Sequence, residues 1–317
     1  MAQLNVGVIG CGRIAELVHL NTLQRLENVA LVALADSDSE RLKKAALRAP
    51  SARTFSEYHD LLNADEVQAV VICVPNALHA ETALAAFERR KHVYLEKPLA
   101  TNLDDARALR EAWRAAGVVG MIGFNFRFSP LYESLRRCVL SGQMGELVAA
   151  RSVFSTQSSN LPEWKQALGT GGGILMDYGT HHVDLARFLL GQEIRRVFAR
   201  QRSDLSEGDS AILELELTGG LFVQAFFSAR TIEEDTFEIY SHQGKWRVDR
   251  RRSIDVEKTT TPSAAASLRT MTERVKGLVR PQYLRRLVFP THETSYELAM
   301  RHFVSCAIPC FSKYPGA

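Results

Sequence analysis

Three short stretches of this 317-residue chain hold side chains that could move a proton beside a redox centre. Lys97 stands in E-K-P at 96–98. Asp177 and His181 stand four apart in D-Y-G-T-H-H-V-D at 177–184. Gly10, Gly12 and Ala15 form G-x-G-x-x-A within V-G-V-I-G-C-G-R-I-A. An ammonium such as that of Lys97 can hold a hydroxyl and stabilise its alkoxide, or donate when a ketone is reduced. An imidazole titrates near about pH 6.5, so His181 can take a proton as hydride leaves. On a helical turn, a spacing of four puts Asp177 and His181 on one face, where the carboxylate can bind a neighbouring hydroxyl. Taken alone, Lys97 could be a snorkelling surface lysine, and the Asp–His pair could be a helix-surface hydrogen bond. It is their company that favours chemistry.

That company is a phosphate cradle. Gly10 allows a tight turn, Gly12 lets the backbone approach a pyrophosphate, and Ala15 permits close helix–strand packing. The N-terminus of the following helix presents unpaired N–H groups to an anion. Asp36 closes the next strand 24 positions after Gly12, near the spacing of about 20 expected of a ribose-binding acid. Its charge should repel a 2′-phosphate, which favours NAD. Ser37 and Arg41, which could meet such a phosphate, keep NADP open.

The elements that must position these residues can be read from pattern. Residues 4–9, 29–35, 69–74, 92–95 and 118–123 read as strands. Helical stretches at 14–26, 40–48 (with Ser39 as N-cap), 57–63, 78–90 and 103–116 alternate with them, the last stopped by Gly117. The run A-V-V-I-C-V at 69–74 is apolar throughout, as a parallel strand covered on both faces requires. Repeated β-α-β with short connections predicts a doubly wound parallel sheet over residues 1–123. From 124 to 317 the pattern changes. Helices are expected at 130–141 and within 173–190, the latter ended by Gly191. Strands are expected at 147–155, 194–202, 211–217, 222–228, 236–241 and 245–249, several at hairpin distance. This predicts an α+β domain whose mostly antiparallel open sheet carries helices on one face. The basic stretch 256–290, with Arg269, Arg274, Lys276, Arg280, Arg285 and Arg286, reads as a solvated face rather than an anion site.

Composition narrows the class. Hydrophobic residues make up 46% and charged residues 24%, which excludes a disordered, collagen-like or disulfide-scaffold chain. A net charge of +3 gives no case for nucleic acid or an anionic membrane surface. No apolar run is long enough to span a bilayer and no targeting segment is visible. The five cysteines include no C-x-x-C pair, so a reducing, cytoplasmic setting is expected and disulfides are not. His181-His182 lacks a matching cysteine pattern, and no metal site is expected.

The sequence resembles the glucose-fructose oxidoreductase / inositol dehydrogenase (Gfo/Idh/MocA) family. The resemblance rests on G-C-G-R-I-A at 10–15, E-K-P at 96–98 and D-Y-G-T-H-H-V-D at 177–184, supported by V-P-N-A-L-H at 74–79 and G-F-N-F-R-F at 123–128. It implies that Lys97 stabilises the substrate oxygen, that His181 relays the proton, and that Asp177 binds substrate. It also places the 74–79 loop against the nicotinamide ribose. The coenzyme-side candidates are then Gly10, Gly12, Arg13, Ile14, Ala15, Asp36, Ser37, Val74, Pro75, Asn76, His79, Glu96 and Lys97. Substrate-side candidates are Asn125, Arg127, Trp164, Tyr178 and His182. Arg127 could bind substrate or only pair with an acid, and Trp164 could stack on a sugar or belong to the core. Asp184 reads as structural. Family members usually continue through another loop and a final helix where this chain stops, which puts stability or assembly in doubt before chemistry.

The expectation is a two-domain NAD(P)-dependent oxidoreductase acting on a sugar, cyclitol or sugar derivative, as a homodimer or homotetramer. Two other readings stay open: a regulatory protein that binds the coenzyme without turnover, and a reductase of the same fold with a non-sugar substrate.

Overall fold

A computed structural model of the chain describes residues 3–157, 162–260 and 294–311. Two units emerge from the contact pattern: Met1–Asn125 with Tyr296–Ala317, and Phe126–Ser295.

The first unit holds β1 (Leu4–Ile9), α1 (Leu20–Arg25), β2 (Val29–Ala35), α2 (Ser39–Arg48), β3 (Arg53–Phe55), α3 (Tyr58–Asn63), β4 (Ala69–Ile72), α4 (His79–Glu88), β5 (His92–Leu95), α5 (Leu103–Ala116) and β6 (Gly120–Ile122). All six strands pair in parallel, in the order β3-β2-β1-β4-β5-β6. Every residue of β4 is buried, the reason its run carries no polar residue. The order reverses direction between β1 and β4. The carboxyl ends of these strands therefore flank the crevice where such sheets bind ligands. Gly117 ends α5 in the left-handed conformation, φ +66°, as its position predicts.

Four local features differ from the pattern. Asp38, not Ser39, caps α2, because its carboxylate accepts from both Glu40 N–H at 2.9 Å and Arg41 N–H at 3.0 Å. A three-residue edge strand, β3, stands where only a lead-in to a helix is expected. The helix after the cradle opens with a wide π turn, Ala15–His19. The last helix, α9 (Ser295–Phe311), groups with the first unit rather than with residues 124–317. The reason is an apolar stripe: Ala299, Met300, Phe303, Val304 and Ala307 are buried, and Phe303 meets Tyr94 edge-on at 5.7 Å.

The second unit holds α6 (Pro130–Leu140), β7 (Leu147–Gln157), α7 (Glu163–Gln166), α8 (Thr180–Leu190), β8 (Ile194–Arg202), β9 (Ser210–Leu217), β10 (Phe222–Ser228), β11 (Arg230–Ser241), β12 (Gly244–Asp249) and β13 (Glu257–Thr259). They form a seven-stranded sheet, β13-β12-β11-β7-β10-β9-β8, antiparallel except between β7 and β10. Period-2 alternation splits its faces. Leu213, Leu215, Leu217, Val223, Ala225 and Phe227 join Leu131, Tyr132 and Leu135 of α6 and Leu185 and Leu189 of α8 in one core. Phe198, Ile212, Phe222 and Phe226 are exposed. β11 begins at Arg230, six residues before the expected start, because its polar R-T-I-E-E-D opening hides a strand that pairs with β7.

Among the described residues no helix is long and apolar enough to cross a membrane. Most of the basic 256–290 stretch, and the tail after residue 311, lie outside the described residues.

Candidate active site

In the first unit, the sequence-predicted residues gather at the carboxyl edge of the sheet. Gly10 leaves β1 with φ +88°, and its N–H donates to Ala35 C=O at 2.8 Å. A Cβ there would lie 2.7 Å from the Cys73 carbonyl carbon and oxygen and 2.9 Å from Val74 N, so only glycine fits. A Cβ on Gly12 would meet nothing within 4 Å. That is the cradle a pyrophosphate needs: a turn locked from behind and open in front. Arg13 is exposed, Ile14 half-buried, and Ala15 buried at the start of the π turn.

Asp36 is buried at the end of β2. It accepts the Cys11 N–H at 2.7 Å, the Asp38 N–H at 2.8 Å, and the Arg41 guanidinium at 2.8 and 3.1 Å. Ser37 beside it is exposed. Burial, with the Asp36 charge second, pushes the Cys11 thiol up to about 12, so it stays protonated at neutral pH.

After β4, Val74 is half-buried, Pro75 exposed and Asn76 buried. His79 turns inward, with Nδ1 2.6 Å from Pro98 C=O and Nε2 3.0 Å from Val74 C=O. It ties the loop after β4 to the loop after β5. Burial lowers its pKa, against the two carbonyls that favour the imidazolium. Glu96 is buried after β5, with Oε1 2.7 Å from His19 Nε2. Its own N–H donates to Ile72 C=O at 3.0 Å, extending the pairing with β4. Lys97 follows, half-buried. Asn125, also in this unit, is fully buried.

In the second unit, Asp177 and Tyr178 lie in another π turn, Leu175–Gly179, and His181 near the start of α8. Lys165 Nζ donates to both Asp177 oxygens at 2.8 Å and lies 5.4 Å from the Trp164 ring centre. Trp164 is half-buried. Tyr178 stacks on Phe154 at 3.7 Å. Burial, then the Asp177 charge, pushes its phenol up to about 12. Thr156, Lys165, Asp177, Tyr178 and Ser206 line a small, open pocket.

His181 is buried and stacks on Phe126, ring centres 4.2 Å apart and planes 16° apart. The Arg250 guanidinium lies 4.5 Å from the centre of that same Phe126 ring. Arg250 Nε also donates at 2.7 Å to Asp235, which is fully buried. His182 points into the core, bonded to Ser152 Oγ through Nδ1, with Nε2 3.5 Å from Asp235. Burial would raise the Asp235 pKa; Arg250 and His182 outweigh it and hold the carboxyl below its ordinary value. Arg127 makes a forked bond to Asp184, 2.7 and 2.5 Å.

Residues 4–124 match the family described as "Oxidoreductase family, NAD-binding Rossmann fold", and residues 132–247 match the GFO/IDH/MocA C-terminal domain. The chain belongs to the Gfo/Idh/MocA oxidoreductase family. Myo-inositol 2-dehydrogenase of Thermotoga maritima is 28% identical over 80% of this chain and 77% of its own length. D-xylose 1-dehydrogenase (NADP(+)) 2 of Haloferax volcanii is 30% identical over 84% of this chain and 80% of its own. Among solved structures, aldose-aldose oxidoreductase from Caulobacter crescentus complexed with glycerol superposes with a TM-score of 0.78, covering 97% of this chain and 90% of that one at 19% identity. As a Gfo/Idh/MocA member, the chain carries an NAD-binding Rossmann domain, and the open front of Gly12 suits that coenzyme.

Four participants escape a sequence reading of this family member. His19 partners Glu96 from 77 positions away, Lys165 holds Asp177, and Asp235 with Arg250 supports the ring against which His181 stacks. Only Lys165 had a signal: it adjoins Trp164 just before the triple glycine 171–173.

Proposed function

We propose that this chain transfers hydride between a nicotinamide coenzyme and a carbinol or ketone carbon of a sugar, cyclitol or sugar derivative. What carries the reading is that two relatives, matched over 80% and 84% of the chain, are named for a cyclitol and an aldose. The Asp177 carboxylate in the second unit's pocket adds a group suited to hydroxyls.

When bound, the coenzyme supplies the hydride acceptor or donor. Gly10, Gly12 and Ala15 would hold its pyrophosphate, and the residues from Val74 to His79 would border its ribose. In oxidation, the Lys97 ammonium donates a hydrogen bond to the substrate hydroxyl oxygen and stabilises the alkoxide that develops there. His181 accepts the hydroxyl proton. Asp177 accepts a hydrogen bond from an adjacent hydroxyl, and Lys165 Nζ, 2.8 Å from both its oxygens, holds it in place. In reduction the proton runs from His181 to the oxygen. Arg127 and His182 serve as supports for α8, since both spend their polar atoms within the second unit.

The exposed phenylalanines of the second sheet favour a homodimer or homotetramer that covers that face. The odd count of cysteines favours the cytoplasm.

The test is turnover with myo-inositol, scyllo-inositol, D-xylose and levoglucosan, each with NAD and NADP. At least one should reduce coenzyme, and Lys97→Ala should slow that reaction about 100-fold with coenzyme affinity unchanged. Coenzyme binding with no turnover on any of them would instead favour a regulatory protein or a non-sugar reductase.

A further inference from the structure

Glu96 immediately precedes Lys97, and three parts of the first unit close on it. Its N–H donates to Ile72 C=O at 3.0 Å, so the backbone leading into Lys97 continues the sheet past β5. Its Oε1 lies 2.7 Å from Nε2 of His19, a fully buried residue. The other ring nitrogen of His19, Nδ1, is buried with no hydrogen-bond partner among the described residues. A neutral imidazole carries one N–H, and here it belongs on Nε2, where Glu96 accepts it. The ring is caged by aromatics, with Tyr94 edge-on at 5.5 Å and Tyr296 of α9 edge-on at 6.2 Å. Its backbone is anchored too, as the last residue of the π turn that starts at Ala15. The third part is Gly123, just after β6. A Cβ there would stand 3.3 Å from Glu96 Cδ and Oε1 and 3.2 Å from the Tyr94 hydroxyl, so both neighbours would have to give way.

An apolar side chain could fill that aromatic cage with no polar atom to satisfy. The imidazole is there for its one hydrogen bond, and that bond goes to the residue before Lys97. We propose that His19 and Gly123 are positioning residues for Lys97: they fix the Glu96 side chain from two sides and so set the direction in which Lys97 leaves the sheet edge. This rests on the reading of Lys97 as the group that stabilises the substrate oxygen. Successive side chains of an extended backbone point to opposite sides, so a rotation at Glu96 carries Lys97 with it. A displacement of about 1 Å in a reacting group can cost about 100-fold in rate.

The experiment measures kcat of the full chain on whichever of myo-inositol, scyllo-inositol, D-xylose and levoglucosan is turned over, with NADH fluorescence titration beside it. The variants are His19→Asn, His19→Gln and Gly123→Ala, each made alone and in a Lys97→Ala chain. A glutamine amide nitrogen reaches the place of the imidazole Nε2, whereas that of asparagine stops short. His19→Asn should lower kcat about tenfold or more, and His19→Gln should recover most of that loss. Gly123→Ala removes no hydrogen-bonding group and should lower kcat about threefold by pressing on Glu96. The Kd for NADH should stay within about threefold throughout. In the Lys97→Ala chain none of the three should cost more than about twofold, because a residue acting through Lys97 has nothing left to position. Equal losses with and without Lys97, a loss of NADH affinity as large as the loss in kcat, or wild-type kcat for Gly123→Ala and a folded His19→Asn, overturns the proposal. Gly123→Ala keeps the test decisive where His19→Asn does not fold. Wild-type turnover by Lys97→Ala, or no turnover on any of the four compounds, overturns the reading of Lys97 itself, and so is distinguishable from failure at His19 and Gly123.

Discussion

Gly10 and Gly12 sit two residues apart in one turn, and the structure predicts opposite consequences for alanine at each. At Gly10 the backbone is left-handed, φ +88°, which costs an alanine about 1–2 kcal/mol. The new Cβ would also press to 2.7 Å on the Cys73 carbonyl, a backbone atom that cannot rotate away. Overpacking of that kind adds about 1–3 kcal/mol. A loss of about 2–5 kcal/mol should lower Tm by roughly 5–15 °C for a chain of this size. At Gly12 the added Cβ meets nothing within 4 Å. Stability should hold or rise by up to about 1 kcal/mol through the less flexible unfolded chain. The cost appears only with coenzyme, whose pyrophosphate must approach that Cα, and a Kd increase of about tenfold or more is expected. Thermal unfolding and NADH fluorescence titration of both variants measure the two effects separately. If Gly12→Ala binds NADH as wild type does, the pyrophosphate does not lie over this turn and the cradle argument fails.

Two further predictions concern the second unit. Arg250→Met leaves Asp235 buried without its 2.7 Å partner, which should cost about 3–5 kcal/mol near neutral pH. Asp235 is held below its ordinary pKa, so its contribution is full above the unfolded value near pH 4 and lost as pH falls through the folded one; the Tm gap between variant and wild type should narrow as pH drops below about 4, and a constant gap would refute the sign. Phe222→Glu with Phe226→Glu, both on the exposed face of β10, should reduce the proposed oligomer to a monomer in size-exclusion chromatography with light scattering. An unchanged mass would move the interface elsewhere.

Much of the fold can be read locally because local patterns dictate it. The unbroken apolar run of β4, the Gly117 stop of α5 and the alternation of β9 and β10 each follow from a few neighbouring residues. β3 is hidden because three residues at a sheet edge carry too short a pattern, and β11 because its first half is polar. Ser39 and Asp38 are both good caps by type, and only geometry shows which carboxylate or hydroxyl reaches two N–H groups. The grouping of α9 with the first unit depends on Phe303 meeting Tyr94, a contact between residues more than 200 positions apart. The same holds at the site. Lys97, Asp177 and His181 announce themselves by motif, whereas His19, Lys165 and Arg250 act through partners that no spacing rule links to them. Both motif-bearing turns, 15–19 and 175–179, are π turns, a widening that period-3.6 reasoning does not anticipate.

We propose that Lys97 and His181 handle one proton in one step. The measurement is a double-mutant cycle on Lys97→Met and His181→Asn, scored by kcat on whichever of the four candidate substrates is turned over, with NADH binding as the folding control. Each single change should lower kcat about 100-fold or more, and the pair together little further, because groups that act as a unit are not additive. Losses that multiply across the pair, or a single variant with wild-type turnover, would contradict it.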